Sequence, residues 1–376
     1  MFALLASSLF SSSASAAILY ANATNLKTVF AAAKDGDTIK ASGTFGSVAL
    51  QNRTFATRVT LDATNAVFAD SLAIKNVHGL YVLKGTFGSQ TAYMRTMQAV
   101  TVTGSSKIKF HSSTFIGTGT IGTKNADSGM LITSSGQVQV SAANFSNLRT
   151  GMAVSSSTDL KLTTNNFYRM TSDGIQIADS HRVLATANMC SGGIPSPFAH
   201  PDCIQLWSGL GRPVQSDITL LNNVALGVTQ GFVSFTPQWG GGLRISMIGN
   251  IVSTSFPQGI ACYNCVDSIF TDNVLTTLPG SKWRTSMNIV GGSNNYIANN
   301  TIGPKPAPAL GLLGTISTLT TAANPGSVST NYFAGNASNG VGGVPEPSEW
   351  FMLTIGFGMV GGFARRRKTT LQHCYA

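Results

Sequence analysis

One short motif recurs down this chain at intervals that only a repeat fold accommodates. An asparagine followed closely by an apolar side chain appears at Asn144-Phe145, Asn166-Phe167, Asn188-Met189, Asn223-Val224, Asn250-Ile251, Asn273-Val274 and Asn300-Thr301-Ile302. The successive steps are 22, 22, 35, 27, 23 and 27 residues. A second marker keeps pace with the first. It is a small residue leading into alternating apolar positions, as in Gly129-Met130-Leu131-Ile132, Gly151-Met152-Ala153-Val154, Gly174-Ile175-Gln176-Ile177 and Gly259-Ile260-Ala261-Cys262. Between the markers lie short segments of period two, such as Val138-Gln139-Val140, Leu160-Lys161-Leu162 and Ile218-Thr219-Leu220.

Two or three short strands in each period of this length are the mark of a solenoid. Helix-pair repeats are longer and need stretches of 3.6-residue periodicity, which this chain lacks. Leucine-rich repeats share the period but need a leucine-dominated pattern, also absent. Composition agrees: only 10% of the residues are charged while 43% are hydrophobic. That is too apolar for disorder, and a neutral polar surface suits stacked strands, where like charges would face each other. Each period therefore reads as one coil of a parallel β-helix, with Ile, Val and Phe in the bore and asparagines stacked at the turns. Ahead of the repeats, Leu26, Val29, Phe30 and Ala33 space as one face of a short helix, followed by Asp35-Gly36-Asp37-Thr38-Ile39. A helix leading into Gly-Asp-Thr-Ile resembles the N-terminal cap of the pectate-lyase-like superfamily, which covers the open edge of the first coil. The expected architecture is an all-β, right-handed parallel β-helix over residues 17–303. A short N-terminal capping helix precedes it and a C-terminal apolar helix follows. Residues 304–343, rich in Pro, Gly, Ser and Thr, read as a loose final coil and a linker.

The two ends read as addresses. Residues 1–16 combine a short apolar stretch with Ala14-Ser15-Ala16, a signal-peptide pattern without a basic leader. Residues 344–376 begin Val344-Pro345-Glu346-Pro347-Ser348, run through apolar residues 350–364 and reach Arg365-Arg366-Arg367-Lys368. That order resembles the PEP-CTERM sorting signal, although the further stretch 369–376 departs from it. Such tails imply transient anchoring in the inner membrane, an exosortase-type processing enzyme and a Gram-negative cell surface or extracellular matrix. The apolar run is short for a membrane span, and the basic cluster would keep its end cytoplasmic.

The formal charge is +10, from 24 Lys and Arg against 14 Asp and Glu. The basic residues are dispersed, which argues against a nucleic-acid arm and fits an anionic partner such as an acidic polysaccharide or lipid headgroups. The only glutamates, Glu346 and Glu349, lie in the tail, so the body offers aspartates alone as carboxylates. Asp173-Gly174-Ile175-Gln176-Ile177 and Asp202-Cys203-Ile204-Gln205-Leu206 are the same pattern 29 residues apart, separated by a Gly- and Pro-rich insertion at 191–201. Stacked, they bring Asp173, Asp202, His200, Gln176, Gln205 and Trp207 to one outer face beneath that insertion. Asp173, His200 and Asp202 are the candidate catalytic acids and bases, and the two aspartates are a candidate Ca²⁺ site. Gln176, Gln205, Trp207, His181 and Arg182 are candidates for binding a sugar, the indole by packing on the ring. Asp and Asn at β-helix turns also cap backbone, so a purely structural role stays open. Arg149 and Arg169 lie in neighbouring coils, but no catalytic base is assigned.

Cys190 and Cys203 bracket the insertion and can form a disulfide in an oxidising compartment. Cys262-Tyr263-Asn264-Cys265 has the spacing of a redox or zinc pair, but the inward position of Cys262 reads as a buried thiol. Taken together these residues point to an exported carbohydrate-active β-helix acting on an acidic exopolysaccharide as a lyase. The alternative is a non-catalytic surface or matrix protein that binds exopolysaccharide or mediates adhesion.

Overall fold

The computed structural model describes residues 15–91, 98–119, 127–197, 199–235, 241–303 and the backbone of 332–333. Most of the expected signal peptide, the linker apart from that last strand, and the whole sorting tail with its apolar helix lie outside the described residues. Among the described residues no helix is long and apolar enough to cross a membrane.

Alternating apolar positions cannot bury one face alone, so the short strands stack coil on coil. The result is a right-handed parallel β-helix, and every strand pairing among the described residues is parallel. Each coil contributes one strand to each of three faces. In one coil these are Ile175–Ala178, His181–Thr186 and Met189–Ser191. In the next they are Asp202–Trp207, Ser216–Leu221 and Val224–Gly227. The register stacks like on like: Ile175 on Ile204, Gln176 on Gln205 and Ile177 on Leu206. The early coils run together as one extended stretch, Thr38–Leu83, which pairs with strands before and after it. The single described helix, Leu26–Ala32, buries Leu26 and Phe30 and sets the Phe30 ring edge-on to Phe55 at 5.7 Å.

The bore is filled by columns of identical side chains. Phe45, Phe68, Phe87, Phe115, Phe145 and Phe167 stack along the third face with centroids 4.3–5.1 Å apart. That separation follows from the spacing of hydrogen-bonded strands, about 4.8 Å.

Two ladders satisfy the corners. Between the first and second faces, Ser105, Ser135, Ser157 and Ser180 each accept a backbone N–H from the coil below and donate to a carbonyl two residues back. Between the second and third faces runs a buried asparagine ladder of Asn165, Asn188, Asn223, Asn250, Asn273 and Asn300. In each step the backbone N–H and the side-chain amide of one rung donate to Oδ1 of the next. The residue ahead of each rung is left-handed: Thr164, Ala187, Asn222, Gly249, Asp272 and Asn299. This turns the chain sharply and aims the following asparagine inward. The ladder differs from the sequence reading at two markers. Asn144 and Asn166 sit one residue past the corner and leave the interior, and the rung positions in those coils are Ala143 and Asn165.

Two disulfides are present among the described residues. Cys190 joins Cys203 across 13 residues. Cys262 joins Cys265, which corrects the expectation of a buried thiol. Cys262 does point inward, but the chain turns between the second and first faces there and brings Cys265 back to it. In the chain-entropy picture, closing a loop the size of 190–203 stabilises by on the order of 3 kcal/mol. Replacing both Cys190 and Cys203 by serine should therefore lower the urea midpoint. A midpoint unchanged within error would show that the loop is held by its hydrogen bonds alone.

Candidate functional site

The parity of a strand sends every second side chain to the same side. Ile175 and Ile177 point into the bore, but Asp173 lies ahead of that strand, at the corner where the third face turns into the first. Asp202 opens its strand at the same corner, where alternation lapses: Cys203 and Ile204 are both buried in the core. Asp173 is 2% exposed and Asp202 0%, so the expected outer-face cluster of two aspartates does not form. The carboxylates are instead buried where the third face turns into the first.

There they are wired to each other and to the insertion. Asp173 Oδ1 accepts from the backbone N–H of Asp202 at 2.8 Å. Asp173 Oδ2 accepts from Gln176 Nε2 and from Ser172 Oγ. Asp202 Oδ2 lies 3.2 Å from Nδ1 of His200, and Nε2 of that imidazole lies 2.7 Å from the side-chain nitrogen of Gln230. Asp202 Oδ1 is buried with no partner among the described residues and faces a small pocket lined by Ser172, Ser191 and Thr229. The described residues of 191–201 are tied into the stack. Ile194 and Ser196 donate backbone bonds to Met170 and Thr171, and the carbonyl of Pro201 accepts from Gln230 N at 2.7 Å. The insertion is thus an added layer within the stack, closed by Cys190–Cys203.

Burial pushes the Asp173 carboxyl up, and the neighbouring Asp202 pushes it further, to about 7. Burial raises Asp202 too, with His200 pulling the other way. Burial works against a charge on His200, but the Asp202 carboxylate beside it outweighs that and raises its pKa. A protonated Asp173 beside a His200–Asp202 ion pair leaves no net charge inside. Gln230 Oε1 has no partner among the described residues. Turning that amide half a rotation would let Oε1 accept from an imidazolium N–H.

These groups do not fit a calcium ion. Calcium takes about six to eight oxygen ligands, whereas here N–H and O–H donors occupy both oxygens of Asp173 and an imidazole faces Asp202. Among the described residues, no group of three or more His, Cys, Asp or Glu is placed to hold a metal.

The remaining candidates divide between two places. Gln176, Gln205 and Trp207 are half-buried on the outward side of the first face. His181 and Arg182 belong to the second face. His181 Nδ1 lies 3.0 Å from Ser216 Oγ, and Arg182 donates to both oxygens of Asp159 at 2.7 and 3.0 Å. Arg244 holds Asp217 the same way at 2.6 and 2.8 Å. Asp159, Arg182, Asp217 and Arg244 all adopt left-handed backbone, an alternating-charge column down one corner. Arg182 is a member of that column and is not brought to the aspartates.

A feature absent from the sequence reading stands beside Trp207. Phe235 donates its backbone N–H to Leu206 O, which places it one coil beyond Trp207. Phe235 meets Tyr263 of the following coil edge-on at 5.6 Å. Three aromatic side chains thus occupy one outward position in successive coils, all half-buried. The signal was their equal spacing of 28 residues. It was obscured because the residue type changes at every step.

No protein-family model matches this chain, and no curated protein matches it by sequence. Among solved structures it resembles PfbA, a surface adhesin of Streptococcus pneumoniae. That match has a TM-score of 0.51 and 10% identity, over 84% of this chain and 88% of that one. The likeness is one of fold alone. Weaker matches are a polygalacturonase from Erwinia carotovora ssp. carotovora and pectate lyase Pel9A. The first has a TM-score of 0.42 and 12% identity over 78% and 81% of the two chains. The second has a TM-score of 0.30 and 12% identity over 76% and 79%.

Proposed function

We propose that this chain is an exported β-helix that binds polysaccharide without cleaving it, with Leu26–Ala32 capping its first coil. The reading rests on the aromatic column Trp207, Phe235 and Tyr263, flanked by the outward amide of Gln205. Aromatic faces pack on the apolar faces of sugar rings and amides bond their hydroxyls. A lyase would need its acid and base within reach of the polymer, and Asp173 and Asp202 are inside the stack. The apparent signal and sorting sequences at the two ends support work at a Gram-negative cell surface, with exosortase processing of the tail.

Affinity electrophoresis of the full chain through gels cast with a panel of polysaccharides tests this. Retardation by at least one polymer is expected, and Trp207→Ala should weaken it about tenfold, the order of one stacking contact. No retardation by any polymer, or full retention by the variant, would overturn the reading. A rise in unsaturated-uronate absorbance during incubation would return the lyase to first place.

A further inference from the structure

An exposed aromatic, Trp283, stands at the opposite edge of the same face. Residues 278–285 link the third face to the strand Ser286–Val290 of the first. Both feet of this arch are fixed. At one, Leu278 donates its N–H to Thr254 O and accepts from Ser281 Oγ at 2.6 Å. At the other, Thr285 is 0% exposed, donates N–H to Thr277 Oγ1 and directs its hydroxyl to the carbonyls of Thr254 and Phe256. Between the buried Ser281 and Thr285, the three residues Lys282, Trp283 and Arg284 are all exposed. Lys282 Nζ lies 4.7 Å from the Trp283 ring centroid, which fixes the indole on one side. The 39% of Trp283 that reaches solvent, together with the Arg284 guanidinium, is what a ligand meets.

The arch continues the aromatic surface. Ser286, directly after it, pairs with Gln258. Gln258 Nε2 in turn donates to the Tyr263 hydroxyl at 3.2 Å, so Tyr263 lies back along the face toward the arch. We infer that the Lys282-Trp283-Arg284 arch reads the carboxylates of a uronate polysaccharide, a ring packing on the indole while the two cations meet its acid groups. Two cations are too few for a nucleic-acid stripe, which neutralises many phosphates along its length. This inference rests on the polysaccharide-binding reading and adds the charge class of the polymer.

Polygalacturonate and alginate, each paired with its esterified uncharged form, separate the two. The full chain should bind at least one acid form about tenfold more tightly than its ester, with the difference shrinking as salt rises. Lys282→Gln combined with Arg284→Gln should abolish that preference and leave ester binding intact, while Trp207→Ala weakens both forms. Equal binding of acid and ester by the unaltered chain, or a preference surviving in the double variant, overturns the inference and leaves polysaccharide binding standing. Failure to bind any of the four polymers overturns the inference and counts against the broader reading too. An unchanged urea midpoint in the double variant is expected, because the altered side chains are exposed.

Discussion

Replacing Asn223 by alanine should lower the unfolding free energy by about 3–5 kcal/mol, whereas Asn144→Ala should change it by less than about 0.5 kcal/mol. Both residues belong to the same repeated sequence marker, but only one is a rung. Asn223 is fully buried; its Oδ1 accepts from the backbone and side-chain nitrogens of Asn188, and its Nδ2 donates to Ala185 O and Asn250 Oδ1. Alanine keeps the backbone bonds and removes all four of these. Two donors and a carbonyl are then orphaned in the interior, each costing about 1–3 kcal/mol. Asn144 is exposed, so water replaces whatever its amide loses. Urea unfolding of the two variants decides the matter, and equal midpoints would mean that the ladder contributes no more than a surface amide.

The fold should be more stable near pH 4.5 than near pH 8, the reverse of the usual acid sensitivity. Asp173 is raised from 3.8 to about 7. A group whose folded pKa lies above its unfolded value holds more protons when folded, so its contribution is complete below about 4 and lost as pH rises through 7. Asp202 and His200 are shifted in the same direction, so both add to the alkaline loss. At about 1.4 kcal/mol per pH unit, the Asp173 shift is worth at most about 4 kcal/mol. Other aspartates act oppositely. The Arg244 hydrogen bond leads in lowering Asp217 to about 2, and hydrogen bonds also lower Asp37, Asp62 and Asp159. Their contributions are present above about 4 and fall away as pH drops further, so the optimum sits just above that value. Asp173→Asn keeps an acceptor for Asp202 N and cannot ionise. It should flatten the alkaline decline between pH 5 and 8 in urea midpoints. A midpoint that rises toward pH 8 in the unaltered chain, or a decline untouched by Asp173→Asn, would contradict a protonated Asp173.

The buried acids show how a correct local reading can still misplace a site. Strand parity could not place Asp173, which lies ahead of the strand Ile175–Ala178 at a corner where alternation lapses; in the next coil Cys203 and Ile204 are both buried in the core. The sequence reading placed both aspartates on the outer face with Gln176 and Gln205, and an unpaired carboxylate is in general costly in the interior. The structure offsets that cost by surrounding the acids with Gln176, His200 and backbone N–H groups. The asparagine markers were ambiguous for a simpler reason. Asn165-Asn166, Asn222-Asn223 and Asn299-Asn300 are doublets, and only the left-handed turn selects which member faces in.

The chain's own pattern determined the solenoid, its coil length and the inward columns. Period-two alternation and recurring turn residues are local properties, and burying one apolar face leaves them few alternatives. Partnership between side chains was decided by the tertiary structure. The step from Asn188 to Asn223 is 35 residues where its neighbours are 22 and 27, and only stacking shows that the extra length forms a layer against Met170 and Thr171. That layer carries His200 to Asp202. Coil stacking likewise gives Arg182 to Asp159, puts Trp207 in line with Phe235 and Tyr263, and fixes both feet of the Lys282-Trp283-Arg284 arch. Contacts of this kind join residues about one coil apart in sequence, so they depend on register and insertion length, which no local pattern encodes.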